Sequence, residues 1–282
     1  MRLAAADYSF PLLEWRQAAE LVKNLGFRGI DISVFEGRSQ LPASEVLANP
    51  SEYGARVRQV LDDIGLEIAD VFAIPGSSFE QGAPNDPSAL ERAKSKDYFY
   101  RLLEFTLRGN AKHLTLLPGI HFPQETVADS LKRCAEELEL RAVASRELGV
   151  RFSIEAHVGS VVSTPALAAK LLDMAPSLTL TLDPSHFVSR GVPDAEILPL
   201  ATRTSHFHAR CGRAGRLQAP LKQNTIPFDS YVKALLAVKY TGWFAVEYVW
   251  IDWESCNEVD ILSETILMRN LLRTAENDLV NA

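Results

Sequence analysis

The sequence predicts a single (β/α)8 TIM barrel of the α/β class, on three observations. Eight β-rich runs alternate with eight segments of helical periodicity, glycine marks several helix-to-strand junctions, and no phosphate-cradling glycine loop appears at a strand-to-helix turn. At 282 residues the chain is longer than most single domains, but barrels of this kind reach such lengths undivided, so residues 1–282 are expected to form one domain.

The strand candidates are 3–6, 29–33, 67–72, 113–117, 151–154, 178–182, 204–208 and 243–247. The helix candidates that follow them are 12–25, 53–64, 87–108, 125–148, 165–174, 194–200, 228–238 and 258–276. Gly26, Gly65, Gly149 and Gly242 each fall just past a helix, where a left-handed residue is expected. Thr164-Pro165 and Asn85-Asp86-Pro87-Ser88 look like helix starts, with a capping side chain beside a proline preset for the first turn. The connections 73–86 and 209–227 are long and leave the C-terminal ends of strands, where this fold builds its sites, so both are lid candidates. An open doubly wound sheet would use the same units, but the absence of GxGxxG and GxxxxGK[ST] argues against it.

Hydrophobic residues at 47% and charged residues at 23% describe a chain with a packed core rather than a disordered one. The net charge of −7 opposes binding to a polyanion, so no nucleic-acid partner is expected and a small molecule is favoured. Cys134, Cys211 and Cys256 are scattered and odd in number, which supports reduced thiols rather than a disulfide framework or a CxxC clip. The apolar runs from Leu114 and Trp243 are far shorter than the roughly 20 residues that cross a bilayer. With no charged-then-apolar leader, the expectation is a cytoplasmic protein without a membrane partner.

The residues that end the last four strands carry the chemistry. RFSIEAH delivers Glu155, LTLTLDPSH delivers Asp183 and then His186, TSHFHAR delivers His208, and WFAVEYVW delivers Glu247. One acid at a strand end means little, but in a closed barrel four consecutive strand ends converge. Three carboxylates brought together repel unless a cation compensates them. Three oxygen-donor residues and one imidazole suit one divalent metal ion, Mn2+, Mg2+, Co2+ or Zn2+. The cysteine-poor set argues against a closed structural zinc site, and the alternative is a polar cluster that stabilises the fold.

In this order and on successive strands, IEAH, LDPSH, HFHAR and VEYVW resemble the xylose-isomerase-like barrels, which include sugar epimerases, sugar and sugar-phosphate isomerases, and inosose dehydratase. The resemblance runs over nearly the whole chain. In the ketose epimerases of that family the residues matching Glu155, Asp183, His208 and Glu247 bind the metal, and the two glutamates also move protons. The resemblance therefore implies Glu155 and Glu247 as an acid/base pair. The chemistry is consistent with this, since removing a proton beside a carbonyl needs a nearby carboxylate and stabilisation of the enediolate that forms. A proton returned from the opposite face epimerises, and one returned to the neighbouring carbon isomerises.

His186 matches a family histidine that contacts substrate oxygens; the alternative is a partner that orients Asp183 or a metal-bound water. His206 shares the strand phase of His208 and so lines the barrel interior, where core packing is the favoured reading. His157 and His121, past strands five and four, are candidate substrate contacts. Family epimerases place a substrate-binding arginine in the loop after strand seven, and of Arg210, Arg213 and Arg216 the assignment here falls on Arg213, against the plainer reading of a solvated charged loop. Tyr8, Phe10, Phe35, Phe72, Trp250 and Trp253 are candidates for an apolar wall against a sugar ring, and Trp15 belongs to the outer layer of the barrel.

The expected activity is thus that of a metal-dependent isomerase or epimerase acting on a small carbohydrate. A dehydratase or lyase is the close alternative, because loss of a β-hydroxyl after the same proton abstraction needs only a differently placed acid. A repair endonuclease with three zinc ions is less favoured, since Asp31, Asp70 and His121 lack a matching histidine set, and a non-catalytic sugar-binding subunit would not need paired glutamates. Many relatives form dimers or tetramers, which makes a homo-oligomer an expectation that no residue here proves. Pro184 and Ala209-Arg210 depart from the family pattern and identify no substrate subgroup.

Overall fold

Period-two alternation in every strand sends one set of side chains outward to the helices and the other inward to the barrel axis. In strand seven Phe207 and Ala209 join the outer apolar layer, while the intervening His206 and His208 point to the axis and are fully buried. The computed structural model describes residues 1–37 and 39–280; Arg38, Asn281 and Ala282, part of the expected domain, lie outside the described residues.

The strands are β1 Arg2–Ala6, β2 Gly29–Phe35, β3 Glu67–Ile74, β4 His113–Leu116, β5 Arg151–Glu155, β6 Thr179–Leu182, β7 Thr204–Ala209 and β8 Trp243–Val246. All eight are parallel to their neighbours and close in sequence order, with β8 pairing back onto β1. The helices are α1 Trp15–Asn24, α2 Ala43–Ala48, α3 Pro50–Ile64, α4 Ala89–Arg108, α5 Val127–Glu147, α6 Pro165–Met174, α7 Ser185–Val188, α8 Asp194–Ile197, α9 Phe228–Ala237 and α10 Ile261–Val280. The main core lies between sheet and helices, where Ile32, Leu114, Ile154, Leu180 and Phe244 meet Val57, Leu102, Leu138, Leu171 and Val232. Trp15 packs against this outer core as expected.

The short helices α2 and α7 are absent from the periodicity reading, because one or two turns are too few to show a period. Thr164 caps α6 with Pro165 in its first turn, whereas α4 starts later than expected, on Ser88, whose hydroxyl accepts from Glu91 N. Gly26, Gly65 and Gly149 have the expected positive φ. Gly242 does not: the left-handed residue after α9 is Lys239, with φ of 58°. Gly242 instead allows a close approach, since a Cβ there would stand 2.3 Å from the carbonyl oxygen of Ser205.

The barrel interior is unusually polar for a fold that ordinarily fills it with branched apolar side chains. Thr115, Ser153 and Thr181 form a hydroxyl triangle with separations of 3.0, 2.8 and 2.6 Å. Asp70 pairs with His113 at 2.7 Å and Asp31 with His206 at 2.8 Å, all four side chains buried. Between the pairs Ile30/Ile68 and Asp31/Asp70 the register shifts by one residue, leaving Ala69 of β3 unpaired, the kind of irregularity that re-aims side chains of the bulged strand.

Candidate active site and metal centre

Glu155 is the last residue of β5, Asp183 and Glu247 follow the last residues of β6 and β8, and His208 lies one residue before the end of β7. All four are buried. His208 organises the group, with Nδ1 2.7 Å from Glu155 Oε1 and 3.4 Å from Glu247 Oε2. Ligand atoms of Glu155, His208 and Glu247 all lie within 4.8 Å of one another. Asp183 stands apart from this trio. Its Oδ1 accepts from Ser185 N at 2.8 Å and its Oδ2 from the guanidinium of Arg210, which also stands 3.5 Å from Glu247 Oε2.

The electrostatics follow from burying these charges together. Burial pushes Glu247 up to about 8, with Glu155 and Asp183 adding to the rise and His208 and Arg210 opposing it. Burial alone would lower His208, but the charge of Glu247 and hydrogen bonds with Asp31 and Glu155 hold it well above the usual imidazole range. His186 is held well below that range by burial and by the positive charge of its neighbours His157 and Arg210. Tyr8 stays neutral, because burial and the charge of Glu247 raise it well above the usual phenol range, and it donates to Glu247 Oε1 at 2.8 Å.

The donor set fits a divalent cation. Glu247 Oε2 is buried with no hydrogen-bond partner among the described residues, and two carboxylates flank one imidazole whose Nδ1 faces both. Glu155, His208 and Glu247 lie close enough to hold an ion together, whereas Asp183, expected as a fourth ligand, is paired with Arg210 and lies outside that group.

Above this floor lies a cavity of about 70 Å3, walled by Tyr8, Pro11, Phe35, Phe72, Ile74, Phe79, Val249, Ile251 and Trp253. Its polar lining is Glu155, His157, His186, Arg210 and Glu247. The His157 ring stacks on Trp253 at 5.2 Å and lies 4.1 Å from His186. Ligand pockets are commonly about 300–1,000 Å3, so this one is small. A larger cavity, about 730 Å3, opens at the other end of the barrel beside Arg2, Lys112, Arg151 and Trp243. That face generally serves stability, and cations gather there beside helix C-termini.

His157 and His186 thus stand with the four proposed ligands, and two other expectations need correction. Arg213 lies beyond the pocket, where the chain has turned away from β7, and bonds Gln223 Oε1 and the Ala214 carbonyl. Arg210 occupies the site instead. It continues the inward phase of His206 and His208, a signal present in the sequence. His121 is exposed, its ring against the Glu125 carbonyl, because the chain after β4 runs outward toward α5. Among the aromatic candidates, Phe10 packs on the outer core and Trp250 is 43% exposed, while Phe79, from the long connection after β3, enters the wall unforeseen.

Among solved structures, a D-psicose 3-epimerase from Clostridium cellulolyticum H10, with D-tagatose, superposes with a TM-score of 0.76 at 15% identity, over 98% of this chain and 99% of its own. The IOLI protein with a bound zinc atom gives 0.73 at 16% identity, over 99% and 98%. A probable 3-DHS dehydratase from Bacillus anthracis gives 0.70 at 16%, over 96% and 99%. At such identities the likeness carries the fold alone. None of the curated proteins matches the chain by sequence. The family model described as xylose isomerase-like TIM barrel matches residues 19–270, and the closed parallel barrel agrees with it. This chain therefore belongs to the xylose isomerase-like TIM-barrel family.

Proposed function

We propose that the protein is a divalent-metal-dependent isomerase or epimerase of a small carbohydrate, working by proton transfer between Glu155, Glu247 and a carbon next to a carbonyl. The observation that carries this reading is the approach of both glutamates to His208 Nδ1, at 2.7 and 3.4 Å, on the floor of one aromatic-walled pocket. Two carboxyl groups at one reacting centre are useful when their environments differ. Here Glu247 receives the Tyr8 hydroxyl at 2.8 Å, which sets it apart from Glu155 and assigns it to delivering a proton. Glu155, hydrogen-bonded to His208, is the partner assigned to removing one.

When bound, a divalent ion supplies the positive charge that stabilises an oxyanion developing on the substrate. Its holders are Glu155, Asp183, His208 and Glu247, and the donor set admits Mn2+, Mg2+, Co2+ or Zn2+. His186, kept neutral, and Arg210 are placed to orient substrate oxygens, and the pocket walls exclude water from the reacting carbon.

A dehydratase is the second reading, favoured by the Tyr8–Glu247 hydrogen bond, which sets a second proton donor where a leaving hydroxyl could be protonated. The likeness to a probable dehydratase is compatible with either reaction. Incubation with a ketose panel in D2O separates the outcomes. Deuterium uptake at an α-carbon with a rearranged sugar, abolished in Glu155→Gln, is expected. Deuterium uptake with loss of water identifies the lyase, and no uptake with any ketose in metal-supplemented enzyme rejects the proton-transfer reading.

A further inference from the structure

We propose that Asp31 is the positioning residue that fixes His208 with its proton on Nε2 and its Nδ1 bare for the metal. The inference rests on the metal reading above and assigns a role to a residue that reading does not use. The two nitrogens of His208 face different groups. Nδ1 faces Glu155 and Glu247, whereas Nε2, buried and without a hydrogen-bond partner among the described residues, has Asp31 Oδ2 at 3.4 Å, from β2 across the barrel axis. A carboxylate only accepts, so without an ion either ring nitrogen can hold a proton toward the carboxylate it faces; a metal takes only a bare nitrogen, so an ion bound between Glu155 and Glu247 displaces the proton from Nδ1 and leaves the one on Nε2. Asp31 is then the acceptor that faces the proton left on Nε2, and it holds the ring with Nδ1 toward the ion.

Asp31 is itself held in place. His206 Nε2 lies 2.8 Å from the same Oδ2, and Asp31, His206 and His208 are all 0% exposed. Asp31 Oδ1 is buried and without a hydrogen-bond partner among the described residues, so the carboxylate has only these two imidazoles to answer its charge. Elsewhere in the barrel interior, Asp70 pairs with His113 in the same manner, but His113 Nε2 ends on Ser205 Oγ at 2.8 Å and touches no proposed ligand. Asp70 is thus a matched control, equally buried and equally paired with histidine.

The test measures Mn2+ affinity of the metal-stripped full chain by titration calorimetry for wild type, Asp31→Asn and Asp70→Asn, with thermal unfolding of each. Loss of a carboxylate partner behind a metal-binding histidine commonly weakens binding about 10- to 100-fold, and this is expected for Asp31→Asn while Asp70→Asn binds like wild type. In Zn2+-loaded wild type, 15N NMR of His208 is expected to show metal on Nδ1 and a proton on Nε2. Wild-type affinity in a folded Asp31→Asn, equal weakening in Asp70→Asn, or metal on Nε2 would each overturn the proposal. So would a stoichiometry of two ions per chain that falls to one in Asp31→Asn, which would make Asp31 a ligand. Failure of wild type to bind either ion condemns the metal reading itself and this inference with it.

Discussion

Arg210 and Asp183 form a fully buried ion pair on the pocket floor, and the same guanidinium stands 3.5 Å from Glu247 Oε2 and 3.1 Å from His186 Nε2. A positive charge thus already compensates the carboxylates, and under the proposed metal reading it would compete with the ion for Asp183. Removing one partner of a buried pair typically costs about 3–5 kcal/mol, because the other charge is left without compensation. Arg210→Met is therefore expected to unfold at a lower temperature than wild type without metal, and to regain more stability than wild type on adding Mn2+. Differential scanning fluorimetry with and without the ion checks this. Arg213→Ala, which lies outside the pocket, is expected to match wild type in both conditions and in turnover.

Asp7 predicts a pH-dependent stability unrelated to the metal. Its side chain accepts from Ser33 N at 3.1 Å and Ser33 Oγ at 2.7 Å, yet burial raises its pKa to about 7 from 3.8, with Asp31 adding to the rise and the Ser33 bonds opposing it. The folded state then binds the proton more tightly than the unfolded chain. Stability from this group is full below pH about 4 and is lost as pH rises toward about 7, by on the order of 4 kcal/mol. Asp7→Asn removes the titration. Its unfolding free energy is expected to exceed that of wild type at pH 8 and to flatten between pH 4 and 7; denaturant titrations at both ends measure the difference.

Gly65 and Gly242 separate two reasons for glycine. Alanine at Gly65 meets only the end of the Lys23 side chain at 3.2 Å, so its cost is the left-handed backbone, with φ of 76°, roughly 1–2 kcal/mol. Alanine at Gly242 meets a backbone oxygen at 2.3 Å that moves only if β7 moves. Gly242→Ala is expected to lower the melting temperature more than Gly65→Ala, in parallel thermal melts.

Much of the fold and of the pocket floor is legible in the sequence. Strong period-two and helical patterns gave all eight strands and the principal helices, because burial imposes those patterns directly on sequence. The convergence of Glu155, His208 and Glu247 followed from strand order alone. What the sequence hid was long-range pairing. Nothing local says that Asp31 in β2 meets His206 in β7, or that Tyr8 reaches Glu247. The inward phase of β7 points to Arg210 rather than Arg213, since the loop after β7 turns away within a few residues. The contribution of Phe79 and Trp253 to the pocket wall depends on loop conformations that no periodicity encodes.

The measurement that bears most directly on the central claim is the metal content of the purified chain, by elemental mass spectrometry, for wild type and His208→Ala. Near one divalent ion per wild-type chain, lost in a folded His208→Ala, is the result this account requires. Wild type that carries no metal and takes up none on addition of Mn2+, Mg2+, Co2+ or Zn2+, or His208→Ala that holds its ion as firmly as wild type, would contradict it.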